Sequence, residues 1–299
     1  LLTRDHDVTC LVRRGLQAAG LPDAITLRHC DVTDPVSLAH DGFRGETFDA
    51  VVSCLASRTG VPADAWAIDH GAHMNALEAA REAGVSHFVL LSAICVQRPL
   101  LGFQQAKLAF EAALRNSGLR YSIVRPTAFF KSLSGQVPRV MAGKPCLLFG
   151  DGRLTACKPI SNRDLADYIV SCLDNPIRWN AVLPVGGPGP AITPREQGER
   201  LFEILGQAPR FRSVPVGLIK SIAGALGAAG RIIPPLVAKA ELARIGHYYA
   251  TESMLVLNPE TGRYDADATP EHGSDTLFDH YARLVRGEIG DERGDHAVF

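Results

Sequence analysis

The chain has 299 residues, enough for one large domain or two small ones with a full buried core. Lys+Arg number 31 against 32 Asp+Glu, for a net charge of -1, while hydrophobic residues make up 46% and charged residues 21%. This balance excludes the basic excess of a dedicated nucleic-acid binder and the apolar-poor composition of a disordered acidic chain.

In chain order, Val8–Val12 (VTCLV) is short and β-rich, and Ala24–His29 (AITLRH) and Phe48–Ser53 (FDAVVS) read as the next two strands. Pro62–Ala83 carries apolar residues at helical spacing, and Gly84 stops it. His87–Ile94 (HFVLLSAI) reads as a buried strand, Phe103–Asn116 as a helix, and Tyr121–Val124 as a further strand closed by Arg125–Pro126. Near-continuous apolar strands alternating with helices mean a parallel sheet covered on both faces. After residue 130 the rhythm changes. Leu147–Leu154 carries a hairpin signal with its turn at Asp151–Gly152. Ser161–Asp164 resembles a helix cap, Ala181–Val185 a strand followed by GGPGP, and Thr193–Glu196 a capping box with proline at the first helical position. Val214–Ala240 is the longest apolar stretch, but Lys220, Arg231 and Pro234–Pro235 interrupt it, so it reads as amphipathic helices around a proline break rather than a membrane span.

The expected fold class is α/β. A doubly wound, Rossmann-like parallel-sheet domain covers 1–130, and the strand near 181–185 is able to rejoin it. A smaller α+β substrate-binding part covers 131–289, and a loose tail 290–299. A dinucleotide fold opens with a strand and a glycine-rich turn that holds the pyrophosphate. LLTRDHD reads instead as the last turn of a helix and a loop. The expectation is therefore a chain lacking its first strand and Gly-rich turn, about 20–30 residues. GGPGP is no substitute, because its spacing is wrong and its prolines remove amide donors.

Such a sheet binds ligands at the carboxyl ends of its strands. Arg13 and Arg14 follow the first strand, where an acidic residue would hold the ribose of NAD. Arginine there suits the 2′-phosphate of NADP. Asp31 and Val32 follow the second strand, with Asp31 positioned to accept from the adenine amino group. The small residues Cys54, Leu55 and Ala56 follow the third and would let a cofactor lie against the backbone. Ser92 ends the fourth and Pro126 the fifth, and both complete the cofactor-binding set. Phe103 and Lys107 share a helix face. Short-chain dehydrogenases carry Tyr-x-x-x-Lys at this place. Here Phe103 has no proton to give, while Lys107 retains the means to hold the nicotinamide ribose and is the candidate catalytic residue.

The seven cysteines form no CxxC pair and mostly sit in apolar runs, which reads as reduced thiols in a reducing compartment. The histidines show no metal-ligand spacing, so no metal site is expected.

Long stretches resemble the NADPH-dependent 8-vinyl reductase family of chlorophyll and bacteriochlorophyll biosynthesis, the type without iron–sulfur clusters, an atypical extended short-chain dehydrogenase. They include CDVTD at 30–34, CLASRTG at 54–60, HFVLLSAICVQRPLLGFQQAKLAFE at 87–111, YSIVRPTAFFKSLSGQV at 121–137, FGDGRLTACKPIS at 149–161, VLPVGGPGPAITPREQGE at 182–199, IGHYYATESML at 245–255 and GSDTLFDHYARLV at 273–285. The resemblance implies NADPH as cofactor, and as substrate a flat tetrapyrrole bearing a carboxylate, with Arg125, Lys131 and Lys158 as candidates to meet that carboxylate. It implies no nucleic-acid partner. A bacterial cytoplasm near photosynthetic membranes is the expected location. The competing readings are a non-catalytic NADP sensor on the same fold, a structural subunit retaining a dinucleotide, and a reductase of another conjugated double bond.

Overall fold

A computed structural model gives the architecture, describing residues 1–290 apart from 14, 16–19, 231 and 234. In chain order the strands are β1 (Thr9–Val12), β2 (Thr26–His29), β3 (Ala50–Ser53), β4 (His87–Leu91), β5 (Arg120–Pro126), β6 (Cys146–Phe149), β7 (Ala181–Val185), β8 (Phe211–Val214), β9 (Val256–Leu257) and β10 (Tyr264–Asp265). The main sheet is four-stranded and fully parallel, in the order β3-β4-β5-β7. β1 and β2 form a separate parallel pair, and among the described residues β1 and β3 each pair on one side only.

Alternation along β4 explains why both faces are covered. Phe88 and Leu90 point into a core shared with Phe110, Leu114 and the alanines of the helix His73–Glu82. Val89 and Leu91 point the other way, against Ile160 and the Leu165, Ile169 and Cys172 side chains of the helix Asn162–Asp174. A strand buried on both sides has no solvent face to carry polar residues, which is why FVLL shows no polar alternation, and the one polar side chain, His87, is buried against Ser122 Oγ at 3.0 Å. Serine caps the helix Asn162–Asp174, Ser161 Oγ accepting from the Asp164 amide at 2.9 Å. The helix Pro194–Ile204 starts with the Thr193–Glu196 box, closed in both directions.

The chain is helical from Pro62 to Glu82, but its middle turn, Trp66–Ala72, is π-wound between α-helical segments. Its buried face carries Ala65, Asp69, Ala72, Ala76 and Ala80, one carboxylate in a row of alanines.

Three sequence expectations are corrected. The strand at 87–94 ends at Leu91, because the Ser92 amide makes the last ladder bond, to the Val124 carbonyl, before a 3₁₀ turn at Ile94–Gln97. Leu147–Leu154 is not a hairpin. The turn at Asp151–Gly152 forms, but β6 pairs in parallel with β8, whose residues take its backbone groups. The helices of 214–251 are Val216–Gly230 and Pro235–Thr251, and the first buries only Ala223 and Gly230 instead of one full amphipathic face. The residues after Gly290, most of the expected tail, lie outside the described residues.

GGPGP has a packing role. Gly186 donates to the Pro270 carbonyl and Gly187 to that of Lys158. A β-carbon at Gly187 would overlap the Pro159 carbonyl, and one at Gly186 would come within 2.8 Å of the Lys158 Cβ. The glycines let the chain leaving β7 run directly against residues 158–160.

A second core, around Phe130, Val140, Leu148, Leu201, Phe202, Leu277 and Tyr281, belongs to the later part of the chain.

Candidate active site

The helix Gly102–Arg115 follows β4 and starts beside that strand's carboxyl end. Gln104 fixes its first turn: the side chain accepts from the Leu101 amide at 2.9 Å and donates to the Cys95 carbonyl at 3.1 Å. One turn on, Lys107 reaches Asp69, with Nζ 2.8 Å from Oδ1. The Lys107 side chain is 11% exposed and that of Asp69 1%, so the pair is nearly dry. Asp69 Oδ1 also accepts from the Ser57 amide at 3.4 Å, which ties the loop after β3 to the same carboxylate.

His73 stands one turn beyond Asp69. Its Nδ1 donates to the Ile68 carbonyl at 3.1 Å, and its ring lies 4.6 Å from that of Phe110. Burial, with the Lys107 ammonium adding to it, pushes its pKa down to about 4, so the ring is neutral. Asp69, His73, Leu90, Leu91, Ser92, Lys107 and Phe110 line one narrow void.

Cys54 and Ala56 on the loop after β3 are exposed, with Leu55 half-buried between them. Among the described residues, Ser53 Oγ beside this shelf, and Asp69 Oδ2 and His73 Nε2 at the void, are buried without a hydrogen-bond partner. Buried polar atoms are normally satisfied, so the unused Ser53 and Asp69 oxygens mark polar capacity that the fold leaves over next to an exposed backbone shelf, the chemistry a hydroxyl-bearing ligand uses. The residues present therefore suit the ribose end of a dinucleotide.

The wall opposite is apolar. Phe103 joins Ala93, Ala128, Ile94, Ile245 and Tyr248 in one cluster, and the Tyr248 hydroxyl donates to the Cys95 carbonyl at 2.8 Å. Gly60, at φ +67°, brings the loop so close that a β-carbon there would sit 3.0 Å from Ile245 and 3.7 Å from Phe103.

The other sequence candidates are distributed as follows. Arg13 is exposed at the end of β1, and its carbonyl meets His29 Nδ1 at 3.5 Å. Arg14 lies outside the described residues. Asp31 is exposed and shaped by Thr33, whose amide and hydroxyl both donate to its Oδ1. The Val32 carbonyl accepts from Asn75 at 3.1 Å. Pro126 is buried at the end of β5. Ser92 turns inward, its hydroxyl donating to the buried Glu111 at 2.6 Å. Arg125 is forked onto the same Glu111. Lys158 is buried and bound to Glu271 at 2.7 Å. Both of these cations are thus matched within the protein. Lys131, half-buried on the short helix Phe130–Leu133, has no ion-pair partner among the described residues.

Sequence reasoning missed Asp69 and Glu111. Each is a lone carboxylate on the buried face of a helix, Asp69 among alanines and Glu111 beside Ala106, Phe110 and Leu114. A charge on an otherwise apolar stripe was the signal, since such a group is retained only when paired.

A parallel sheet covered by helices on both faces, with an exposed backbone shelf at its carboxyl edge, defines a Rossmann-like α/β protein. Comparison with known proteins agrees: the NAD(P)H-binding family matches residues 1–176. The chain is 47% identical to divinyl chlorophyllide a 8-vinyl-reductase, chloroplastic, of Oryza sativa subsp. indica, over 100% of this chain and 78% of the rice protein. It is 56% identical to the protein of that name from Cucumis sativus, over 84% of this chain and 61% of the cucumber protein. Among solved structures, an NADPH-dependent quinone oxidoreductase of Escherichia coli complexed with NADPH superposes with a TM-score of 0.65 at 18% identity, over 92% of this chain and 89% of that one, and shares the fold. The chain belongs to the divinyl chlorophyllide a 8-vinyl-reductase family. These plant relatives are chloroplastic by name, which contradicts the expected bacterial cytoplasm.

Proposed function

We propose that this protein reduces the 8-vinyl group of a divinyl chlorophyllide-type tetrapyrrole to ethyl with NADPH. The observation that carries the reading is the nearly dry Lys107–Asp69 pair beside the exposed Cys54–Ala56 shelf, with phenylalanine where a dehydrogenase acid would stand. When bound, NADPH supplies the hydride.

The chain's own residues account for the rest. Lys107, held by Asp69, orients the nicotinamide ribose. Arg13 meets the 2′-phosphate, and Asp31 accepts from the adenine. Phe103 carries no proton, which suits a reaction at a carbon–carbon double bond. Hydride added to the terminal vinyl carbon leaves a negative charge that spreads into the macrocycle, so no alkoxide needs an acid beside it. A proton then adds to the inner carbon, and one vinyl group, one hydride and one proton become one ethyl group. The apolar wall of Phe103, Ile245 and Tyr248 excludes water and accepts a flat ring system. Lys131, without an ion-pair partner among the described residues, meets the substrate carboxylate in this reading. Residues 1–130 with β7 form the dinucleotide-binding part, and 131–289 the substrate-binding part.

The test is pigment chromatography after incubating the full-length protein with NADPH and divinyl chlorophyllide a. Conversion to the 8-ethyl pigment supports the reading. Tight NADPH binding without conversion replaces it with a non-catalytic NADP sensor.

A further inference from the structure

From Gly206 to Ala240 the sequence contains no Asp or Glu, while Arg210, Arg212, Lys220, Arg231 and Lys239 give the segment five cations. The whole protein carries a net charge of -1, so this asymmetry is local. The same segment holds the helix Val216–Gly230, VGLIKSIAGALGAAG, which is apolar almost all round yet buries only Ala223 and Gly230. A helix of that composition is ordinarily enclosed. Here Leu218 is 50% exposed and Ile222 45%. At the turn into the next helix the exposure peaks, with Ile232 at 85% and Ile233 at 51%.

The hairpin's inner contacts explain how it is held. A β-carbon at Gly230 would lie 3.1 Å from Val237, so the two helices meet closely near the turn. The second helix is tied to the body through Ile245 and the Tyr248–Cys95 bond, and the first starts directly after β8, where a β-carbon at Gly150 would lie 3.8 Å from Val216. The first carboxylate after the segment, Glu241, is buried and paired with Arg244 at 3.1 Å, so it does not offset the exposed Arg212, Lys220 and Lys239. No helix among the described residues is long and apolar enough to cross a membrane.

We propose that this hairpin docks the protein on the surface of an anionic lipid bilayer. The isoleucine turn and the Leu218–Ile222 face enter the headgroup–acyl boundary, and Arg212, Lys220 and Lys239 meet the anionic headgroups. Apolar side chains flanked by cations, with acids excluded, fit that interface on both counts. A protein partner of similar shape would need acidic residues opposite Arg212, Lys220 and Lys239, whereas an anionic bilayer presents its charge as a continuous sheet. The inference is independent of the reaction assigned above, since it rests on surface composition alone.

Vesicle flotation of the full-length protein tests it, with phosphatidylglycerol–phosphatidylcholine vesicles compared with phosphatidylcholine alone. The protein floats with the anionic vesicles and remains behind with the neutral ones. Ile232→Ser/Ile233→Ser lowers partitioning by at least about tenfold, from the loss of two buried isoleucine side chains, with an unchanged melting temperature. Lys220→Gln/Lys239→Gln lowers it as well, and added salt reproduces that loss in the parent protein. No flotation, or equal flotation of the isoleucine variant, overturns the proposal. So does a dimer that forms without lipid and dissociates on the same isoleucine substitutions, which would make a second copy the occupant.

Discussion

The Lys107 ammonium and the Asp69 carboxylate meet at 2.8 Å between two helices, at a point where one of them is π-wound. π-turns shift the register of the face that follows, and they recur at functional sites. Here the turn sets Asp69 against Lys107 and His73 against Phe110. The second Asp69 oxygen has no hydrogen-bond partner among the described residues, which leave the carboxylate half used.

Lys107→Ala lowers kcat/KM by at least about tenfold, about 1.4 kcal/mol of transition-state free energy. It also destabilises the fold, because Asp69 is left charged and buried. Combining Lys107→Met with Asp69→Asn removes both charges and recovers the melting temperature without recovering the rate. Recovery of the rate by that pair would reduce Lys107 to a structural residue.

Phe103→Tyr restores the phenol of ordinary short-chain dehydrogenases at the face shared with Lys107. Because the charge spreads into the substrate ring system, this variant changes kcat by less than about threefold, under 1 kcal/mol. A tenfold gain in steady-state turnover would mean that a proton delivered from position 103 does limit the reaction.

Arg13→Glu exchanges an exposed cation at the end of β1 for an anion. With NADPH, kcat/KM falls at least about tenfold, and with NADH it stays the same or rises. Equal losses with both cofactors would remove Arg13 from the 2′-phosphate site.

Two buried histidines make stability depend on pH. Burial lowers the pKa of both His73 and His87 to about 4, helped by Lys107 at the first and Arg120 at the second. The unfolded chain binds these protons near pH 6.5 and the folded one only near 4, so stability is full above about 6.5 and falls as pH drops toward 4. The slope contributed by each approaches about 1.4 kcal/mol per pH unit inside that window. Urea titrations from pH 7 to 4 measure it. His73→Phe, which keeps the ring on Phe110, removes its share, and an unchanged slope would show that His73 is protonated in the fold.

Gly187→Ala tests the reading of GGPGP. Overlap with the Pro159 carbonyl costs about 3 kcal/mol of stability, within the range for overpacking, and leaves the KM for NADPH unchanged in whatever folds. A raised KM at normal stability would place the loop at the cofactor instead.

The sheet was legible because strands buried on both faces are mostly apolar, and the runs in HFVLL, YSIV and FDAVVS alternate with helices as a parallel sheet requires, their few polar residues His87, Ser122 and Ser53 being buried. The Thr193 box and the Ser161 cap were legible because capping chemistry is local. The parallel pairing of β6 with β8 was not, because the Asp151–Gly152 turn forms whether or not the strand folds back on itself. Of the site, Lys107 showed itself by its four-residue spacing from Phe103, while Asp69 sits on a π-wound turn that 3.6-residue counting passes over. Arg125 and Lys158 looked available as cations, since their partners Glu111 and Glu271 are brought to them only by the tertiary fold.

The most direct measurement uses NADPH carrying deuterium at the transferred C4 position, incubated with the full-length protein and divinyl chlorophyllide a. The product is then analysed by mass spectrometry. The account predicts an 8-ethyl pigment with one deuterium at its terminal carbon, and a second label at the inner carbon only when the reaction is run in deuterium oxide. An ethyl pigment without cofactor-derived deuterium, or no ethyl pigment from protein that binds NADPH tightly, would contradict it.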